Sequence, residues 1–330
     1  MKYTLETFPG PGIYFGLDEN LYHSLPYCGS SNIKKLYSSP PDYWFESHMN
    51  PLREVEDESF ALKLGTALHH RILYGEEDFK AHYRPLSGGN KDGTIGADEL
   101  RAWLKEQGAS PAKLKADNER MAYEQFGVML MAEKAYERVI VSAHMIVKNP
   151  NLAQAFINGW PEVSIFWIDD GVPCKCRIDY LKLNAWVDLK SFSGKQRIMR
   201  IDEMVLKDLF NYRYDIQAAH YMGCHEHAVK FVAESKVFYA DGCKGPPATW
   251  LEKAFSKPPQ WVFVFYKNEG APISKSYQVP NGSPAHETGK YAVKLALDNY
   301  RDNMEKFGTD CWVNLDEPFQ IVAEDMPKWL

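Results

Sequence analysis

Hydrophobic residues along the 330-residue chain change their spacing near residue 160. Before that point the period is helical. Ser30 or Ser31 can cap a short helix running through Ile33 and Leu36. Pro40-Pro41 breaks it, and Tyr43-Trp44-Phe45 starts another apolar stretch. Phe60, Leu64, Ala67, Leu68 and Ile72 recur at spacings of three and four, which predicts an amphipathic helix. Residues 86–97 (LSGGNKDGTIGA) are rich in glycine and polar groups and predict a mobile loop. Helical spacing returns over 98–107 and 112–136.

After residue 160 the period drops to two. Val163, Ile165 and Trp167 alternate as in a half-buried strand, and Asp170-Gly171 is a strong two-residue hairpin signal. Cys176, Ile178 and Tyr180 alternate with Lys175, Arg177 and Asp179. Asn184 then marks a turn into a strand over 186–191. Residues 161–191 therefore predict an antiparallel meander. Helices are expected over 201–210 and 215–232. Trp261–Tyr266 is apolar throughout and reads as a central strand. Residues 284–306 predict a long amphipathic helix ending near Gly308, and the tail with Trp312, Phe319, Ile321 and Trp329 is expected to pack back on the body. The fold class is α/β, one domain over 1–330. Its parts are a mainly helical elaboration at 1–150, a sheet core at 160–270, and a C-terminal helix and tail at 284–330.

Composition fits a globular protein, at 45% hydrophobic and 25% charged. There is no run of about 18 apolar residues, and the start MKYTLETFPGPGIYFGL lacks the apolar segment of a secretory signal, so a cytoplasmic, non-membrane protein is expected. The six cysteines contain no CxxC pair. A net charge of −6 argues against coating nucleic acid by bulk electrostatics. It is compatible with a metal-dependent enzyme acting on nucleic acid, because bound cations reverse the local sign. The stretch Lys190, Lys195, Arg197, Arg200 is locally basic, and Lys207 and Arg213 follow it.

The candidate chemistry begins at Asp188-Leu189-Lys190. On a strand, Asp188 and Lys190 share one face while Val187 and Leu189 share the other. Asp179 precedes Asp188 by nine residues across a tight turn, so two carboxylates on paired strands can converge on a hard cation. A lysine beside such an ion can position water and offset charge in the transition state. The same pattern also fits a charged outer face of a hairpin. Glu162 could add a carboxylate, or be a solvated strand end. Gly65 and His69 share a helix face, where a glycine would let the helix approach a sheet closely and an imidazole could ligate metal. Gln217 and Tyr221 also share a helix face and could reach a phosphate or hold a carboxylate, or simply sit at a helix–sheet boundary.

As an ordered set these residues resemble the PD-(D/E)XK nuclease superfamily, in particular its exonuclease VIII (RecE) branch, which is related to the RecB nuclease domain and more distantly to lambda exonuclease. The resemblance rests on Gly65-x-x-x-His69, Glu162, Asp179, Asp188-x-Lys190 and Gln217-x-x-x-Tyr221, with Gly12-Ile13-Tyr14 and Ser31-Asn32-Ile33-Lys34 before them. It spans roughly residues 10–270. It implies a restriction-endonuclease-like core, a central mixed sheet flanked by helices. It implies Mg2+, or Mn2+, held by His69, Asp179, Asp188 and the Leu189 carbonyl, with Lys190 acting on the water. Glu162 supports the ion, and Gln217 and Tyr221 organise the site or contact DNA. Arg177, Ser191, Lys195 and Arg197 are further candidates for DNA contact or site organisation. The implied reaction is 5′-to-3′ exonucleolysis of double-stranded DNA ends by a ring-shaped homo-oligomer, working in phage-type recombination with a single-strand annealing recombinase of the RecT or Bet kind. An endonuclease, a nuclease module of a helicase complex, and an inactive DNA-binding scaffold on the same fold are the competing readings.

Three other signals are weaker. His220, Cys224 and His227 lie on one helical face but offer three ligands where structural zinc takes four. No close cysteine trio exists, so no iron–sulfur cluster is expected. Thr288-Gly289-Lys290 lacks the spacing of a P-loop, so ATP use is not expected.

Overall fold

A computed structural model describes residues 3–54, 60–86, 97–108, 127–192, 199–267 and 270–314. Its strands are β1 (Gly12–Phe15), β2 (Tyr83–Leu86), β3 (Met129–Ala132), β4 (Trp160–Asp169), β5 (Val172–Leu181), β6 (Ala185–Phe192), β7 (Val237–Tyr239), β8 (Gln260–Lys267) and β9 (Ser274–Val279). Seven of them form one mixed sheet in the order β7-β1-β4-β5-β6-β8-β9, and β2 pairs β3 separately. The helices are α1 (Glu19–Ser24), α2 (Ser30–Ser38), α3 (Pro40–Glu46), α4 (Phe60–Leu73), α5 (Glu76–His82), α6 (Ala97–Glu106), α7 (Glu133–Lys148), α8 (Ile201–Asn211), α9 (Tyr214–Gly223), α10 (His225–Ala233), α11 (Ala248–Ala254) and α12 (Pro284–Phe307). No helix among the described residues is long and apolar enough to cross a membrane.

The meander forms as its alternation predicts. Strands β4 and β5 pair antiparallel from Trp160↔Leu181 to Asp169↔Val172. Asp170 and Gly171 both take positive φ, 44° and 84°, as a primed turn with matching right-handed twist requires. Strand β6 then pairs β8 in parallel over its whole length, from Ala185↔Gln260 to Phe192↔Lys267.

Helices cover both faces of the sheet. On one face, α2, α9 and α12 pack over Trp186, Trp261, Phe263 and Phe265. A Cβ at Gly289 of α12 would lie 2.3 Å from the Asp215 carbonyl oxygen, so glycine sets how closely α12 and α9 approach. On the other face, α4 and α7 cover Val187, Leu189, Val264 and Tyr266.

Several expectations are corrected. Gly29, not Ser30 or Ser31, caps α2: its N–H donates to Asn32 Oδ1 at 3.0 Å, and no hydroxyl caps the helix. Pro40-Pro41 opens α3 as well as ending the segment before it, since proline is tolerated in a first helical turn. The expected helix over 112–136 fails at its end, where Met129–Ala132 is strand β3 and α7 begins only at Glu133; residues 112–126 lie outside the described residues. The helix over 215–232 is two helices that meet at Cys224. Strand β4 is not half-buried: Ser164 and Phe166 are as buried as Val163, Ile165 and Trp167, because a further aromatic cluster of Tyr14, Tyr22 and Phe166 closes the opposite face. Strand β8 is interior, as its apolar run predicts, but it lies one place from the sheet edge: β9, which the sequence pattern does not signal, flanks it on the side away from β6. In the tail, Trp312 is buried against Tyr43 and Tyr300, while Phe319, Ile321, Trp329 and residues 87–96 of the loop expected over 86–97 lie outside the described residues; Leu86 ends β2 and Ala97 opens α6.

Candidate active site at the strand fork

The β5–β6 ladder is short. It pairs Leu181↔Trp186 and Tyr180↔Val187 and then stops. Asp179 and Asp188 are the next positions on each strand, where the strands diverge. Cys174, Cys176 and Ile178 all enter one core, but Tyr180 enters the other and Leu181 returns to the first, so the alternation slips at Asp179. The β4–β5 ladder is also interrupted there: Pro161 pairs Tyr180 and Val163 pairs Ile178, leaving Glu162 and Asp179 between paired positions. Glu162 has φ 48°, uncommon for a non-glycine residue. Two interrupted ladders thus turn Asp179 out of the regular sheet pattern. Its Oδ2 accepts the Leu189 N–H at 2.8 Å, a donor of β6 beyond the last β5–β6 pair.

Each covering layer sends one side chain to this fork. From α4, His69 Nε2 lies 2.8 Å from the Leu189 carbonyl oxygen and its Nδ1 lies 3.6 Å from Asp179 Oδ2. From α9 on the opposite face, Gln217 Nε2 donates to Asp188 Oδ1 at 2.6 Å. Asp188 is 1% exposed, and its Oδ2 makes no hydrogen bond among the described residues. The Lys190 ammonium stands 2.7 Å from that oxygen as an ion pair, without the angle of a hydrogen bond.

Burial dominates the electrostatics. It raises both carboxyls, Asp179 and Asp188, to about 6, against the opposing pull of Lys190; their mutual repulsion adds to the rise at Asp188. Burial works to lower Lys190, but the charges of Asp188 and Asp179 outweigh it and hold the ammonium well above its usual range. Burial, with Lys190 second, lowers His69 and keeps its imidazole neutral, the form that binds metal.

The remaining candidates are distributed as follows. Glu162 stands at the rim and accepts the Tyr74 hydroxyl at 2.8 Å. Tyr221 is buried on α9, edge-on to Trp261 and near enough to both carboxylates to feel their charge. Arg177 commits its guanidinium inward, to Ser164 Oγ and the Leu17 carbonyl at 2.9 Å each and to the face of Tyr22. Ser191 is exposed near the end of β6, and Lys195 and Arg197 lie outside the described residues. Among the described residues Gly65 makes no close approach: an added Cβ there would meet nothing within 4 Å. Of the set-aside histidine–cysteine trio, His220 faces the Lys175 carbonyl at 3.1 Å and Cys224 faces Cys176 at 3.7 Å.

Two neighbours escaped sequence reasoning as site residues. Lys34 of α2 and Lys190 both lie over the Tyr214 ring, at 4.8 and 5.6 Å from its centroid. Burial, with Lys190 second, pushes Lys34 down to about 8. Nothing in local spacing joins residues 34, 190 and 214; only the packing of α2 and α9 over the sheet does. Tyr74, four residues after His70 on the helical period, carried no signal either.

Residues 29–240 match the model of a family described as a PDDEXK-like domain of unknown function (DUF3799). Among solved structures, a protein from Eubacterium rectale named as a presumed exonuclease is similar at 14% identity and TM-score 0.48, over 87% of this chain and 88% of that one. No match is found among curated proteins. The family match covers more than half of the 330 residues, so the chain belongs to the PDDEXK-like family, within the PD-(D/E)XK nuclease superfamily.

Proposed function

We propose that this PDDEXK-like chain is a metal-dependent exodeoxyribonuclease that digests linear double-stranded DNA, from the 5′ end, with its chemistry at Asp179, Asp188 and Lys190. The observation that carries the reading is the convergence of one buried and one part-buried carboxylate, a carbonyl and a neutral imidazole on one strand fork, with a lysine beside them. The donor set fits Mg2+ or Mn2+: it is mainly oxygen, and the buried Asp188 Oδ2 has no hydrogen bond of its own. Asp179, Asp188, the Leu189 carbonyl and His69 would hold the ion, which would lower the pKa of a bound water and draw charge from the phosphate. Ligation by both His69 and Leu189 exchanges the hydrogen bond now between them.

The chain's own groups do the rest. Lys190, kept protonated by Asp188 and Asp179, orients the water against the phosphorus and offsets the charge that builds on the phosphoryl oxygens. Gln217 fixes the rotamer of Asp188, and the Leu189 N–H fixes that of Asp179. Water oxygen bonds to phosphorus as the P–O3′ bond breaks, giving a 5′-phosphate and a free 3′-hydroxyl. Lys34 stands beside Lys190 as a second cation for the strand. Ring assembly and a single-strand annealing partner complete the reading as a recombination exonuclease.

The test is purified protein with linear duplex labelled at 5′ or 3′ ends, in Mg2+ or EDTA, beside Lys190→Ala. Metal-dependent release of 5′ label as mononucleotide is expected, with a loss of about 10³-fold in the variant. If both proteins bind linear DNA and leave it intact, the scaffold reading replaces this one; internal cleavage of circular DNA would indicate an endonuclease.

A further inference from the structure

A second group of ligating side chains stands apart from the strand fork, on the hairpin of α4 and α5. The two helices are joined by Tyr74 and Gly75, whose φ of 94° permits the reversal. This brings the last turn of α4 against α5. His70 projects from α4; Asp78 and His82, four apart, project from one face of α5. One ring nitrogen of each histidine and a carboxylate oxygen of Asp78 all lie within 4.8 Å of one another. His70 Nε2 is 2.6 Å from Asp78 Oδ1, and His82 Nδ1 is 3.4 Å from the same oxygen.

We propose that His70, Asp78 and His82 form a second metal site, for a transition ion of the Zn2+ class. Two imidazoles and one carboxylate are the three-ligand donor set of open zinc sites, whose fourth position is water, so the ion here would be exchangeable and not the closed, four-ligand kind that a fold requires. The set differs in kind from that of the strand fork. Nitrogen ligands favour Zn2+ and its neighbours over Mg2+, which prefers oxygen. The ligands are also accessible: their side chains are 23%, 43% and 48% exposed for His70, Asp78 and His82. They are held in place as well. The rings of Tyr74 and Tyr83 flank His70 at 5.0 and 5.3 Å, and His82 Nδ1 lies 2.9 Å from the Asp78 carbonyl, a hydrogen bond that it would exchange for the ion. An ion here would cross-link α5 to the helix that delivers His69, one residue before His70, to the fork. The site would set how firmly that helix is held, and it takes part in no bond-breaking step.

The inference is independent of the nuclease reading and has its own readout. Full-length protein carrying Asp188→Asn, which weakens the fork, is titrated in excess Mg2+ with Zn2+ by calorimetry and with Co2+ by visible absorption. One ion per chain is expected, with a Co2+ spectrum of a nitrogen–oxygen site and a rise in melting temperature. Adding His70→Ala and His82→Ala should weaken binding by at least about tenfold. His82→Ala alone, at a half-exposed position where misfolding is not at issue, should do the same. Unchanged affinity in either variant would place the ion elsewhere, and a protein that binds no Zn2+ at all would reduce the cluster to a hydrogen-bonded clasp; both overturn the proposal.

Discussion

Two aspartates on this molecule are equally buried and differently partnered. Asp215, at the start of α9, is 0% exposed, and Asp188, at the fork, is 1% exposed. Asp215 is fully engaged: Arg213 grips it as a fork, with Nε to Oδ1 and Nη2 to Oδ2, both at 2.9 Å. Asp188 receives one amide hydrogen bond from Gln217 and a single lysine, and its Oδ2 has no hydrogen bond. A guanidinium fork engages both carboxylate oxygens at once and fixes them in one plane. A lysine is a point charge that leaves acceptor capacity open. On the proposed function, the difference separates a carboxylate that stabilises the fold from one that would take a cation.

Mutation should separate the two most widely. Asp215→Asn cannot accept both guanidinium bonds and leaves Arg213 without its counter-ion. Loss of one partner of a fully buried pair costs about 3–5 kcal/mol, but Arg213 keeps 28% of its side chain exposed, so about 2–3 kcal/mol is expected. Asp188→Asn removes a charge that burial already disfavours, keeps a hydrogen-bond acceptor for Gln217 and leaves Asp179 facing Lys190. Its cost without metal should be about 1 kcal/mol or less. Urea unfolding in EDTA measures both. Equal losses would make Asp188 a structural ion pair and collapse the distinction.

The same contrast explains what the sequence could disclose. Asp188 and Lys190 are legible because strand alternation puts them on one face, and Asp179 because the hairpin turn brings its strand back. His69 and Gln217 are legible through helical spacing together with the family pattern. The fork is not legible, since it depends on where the β5–β6 ladder stops and on the left-handed backbone of Glu162, which is no glycine. Lys34 and Tyr214 join the site only through tertiary packing. Gly65 misled for the opposite reason: glycine four residues before a histidine suggests close packing, but among the described residues nothing lies within 4 Å of a Cβ placed there. Strand β9 escaped because its half-exposed pattern, Ser274 to Val279, has little apolar character. It nevertheless makes β8 an interior strand.

Acidity sharpens the comparison next. Asp179 and Asp188 are raised from the usual 3.8 to about 6, so folding without metal favours their protonated form relative to the unfolded chain. Their contribution to stability is therefore present below about 4 and is lost as pH rises through about 6. His69 runs the other way, being lowered, so the stability profile alone will not isolate the carboxylates. Metal binding will, because it requires both to ionise. Between pH 7 and pH 5 the apparent affinity for Mn2+ or Mg2+ should fall about tenfold if one proton must leave and about a hundredfold if two must. Calorimetric titration at the two pH values measures it. A pH-independent affinity would mean that the ion does not use these oxygens.

The smallest expected effect lies at the rim. Tyr74 donates to Glu162 at 2.8 Å, and both side chains are reached by solvent. A hydrogen bond to a charged group contributes about 1.5–3 kcal/mol when enclosed, and less here because water can replace the hydroxyl. Glu162 also holds φ 48°, a backbone conformation with its own cost of about 1–2 kcal/mol, so its position is set partly by the interrupted ladder. Tyr74→Phe should therefore raise the Mg2+ concentration for half-maximal activity by only about threefold, with the maximal rate unchanged. The measurement is the metal titration of DNA cleavage for the variant beside the parent. A loss approaching that of Lys190→Ala would give Tyr74 a direct part in the reaction. No change would mean that the backbone alone places Glu162, and the tyrosine could then be lost without consequence for the fork.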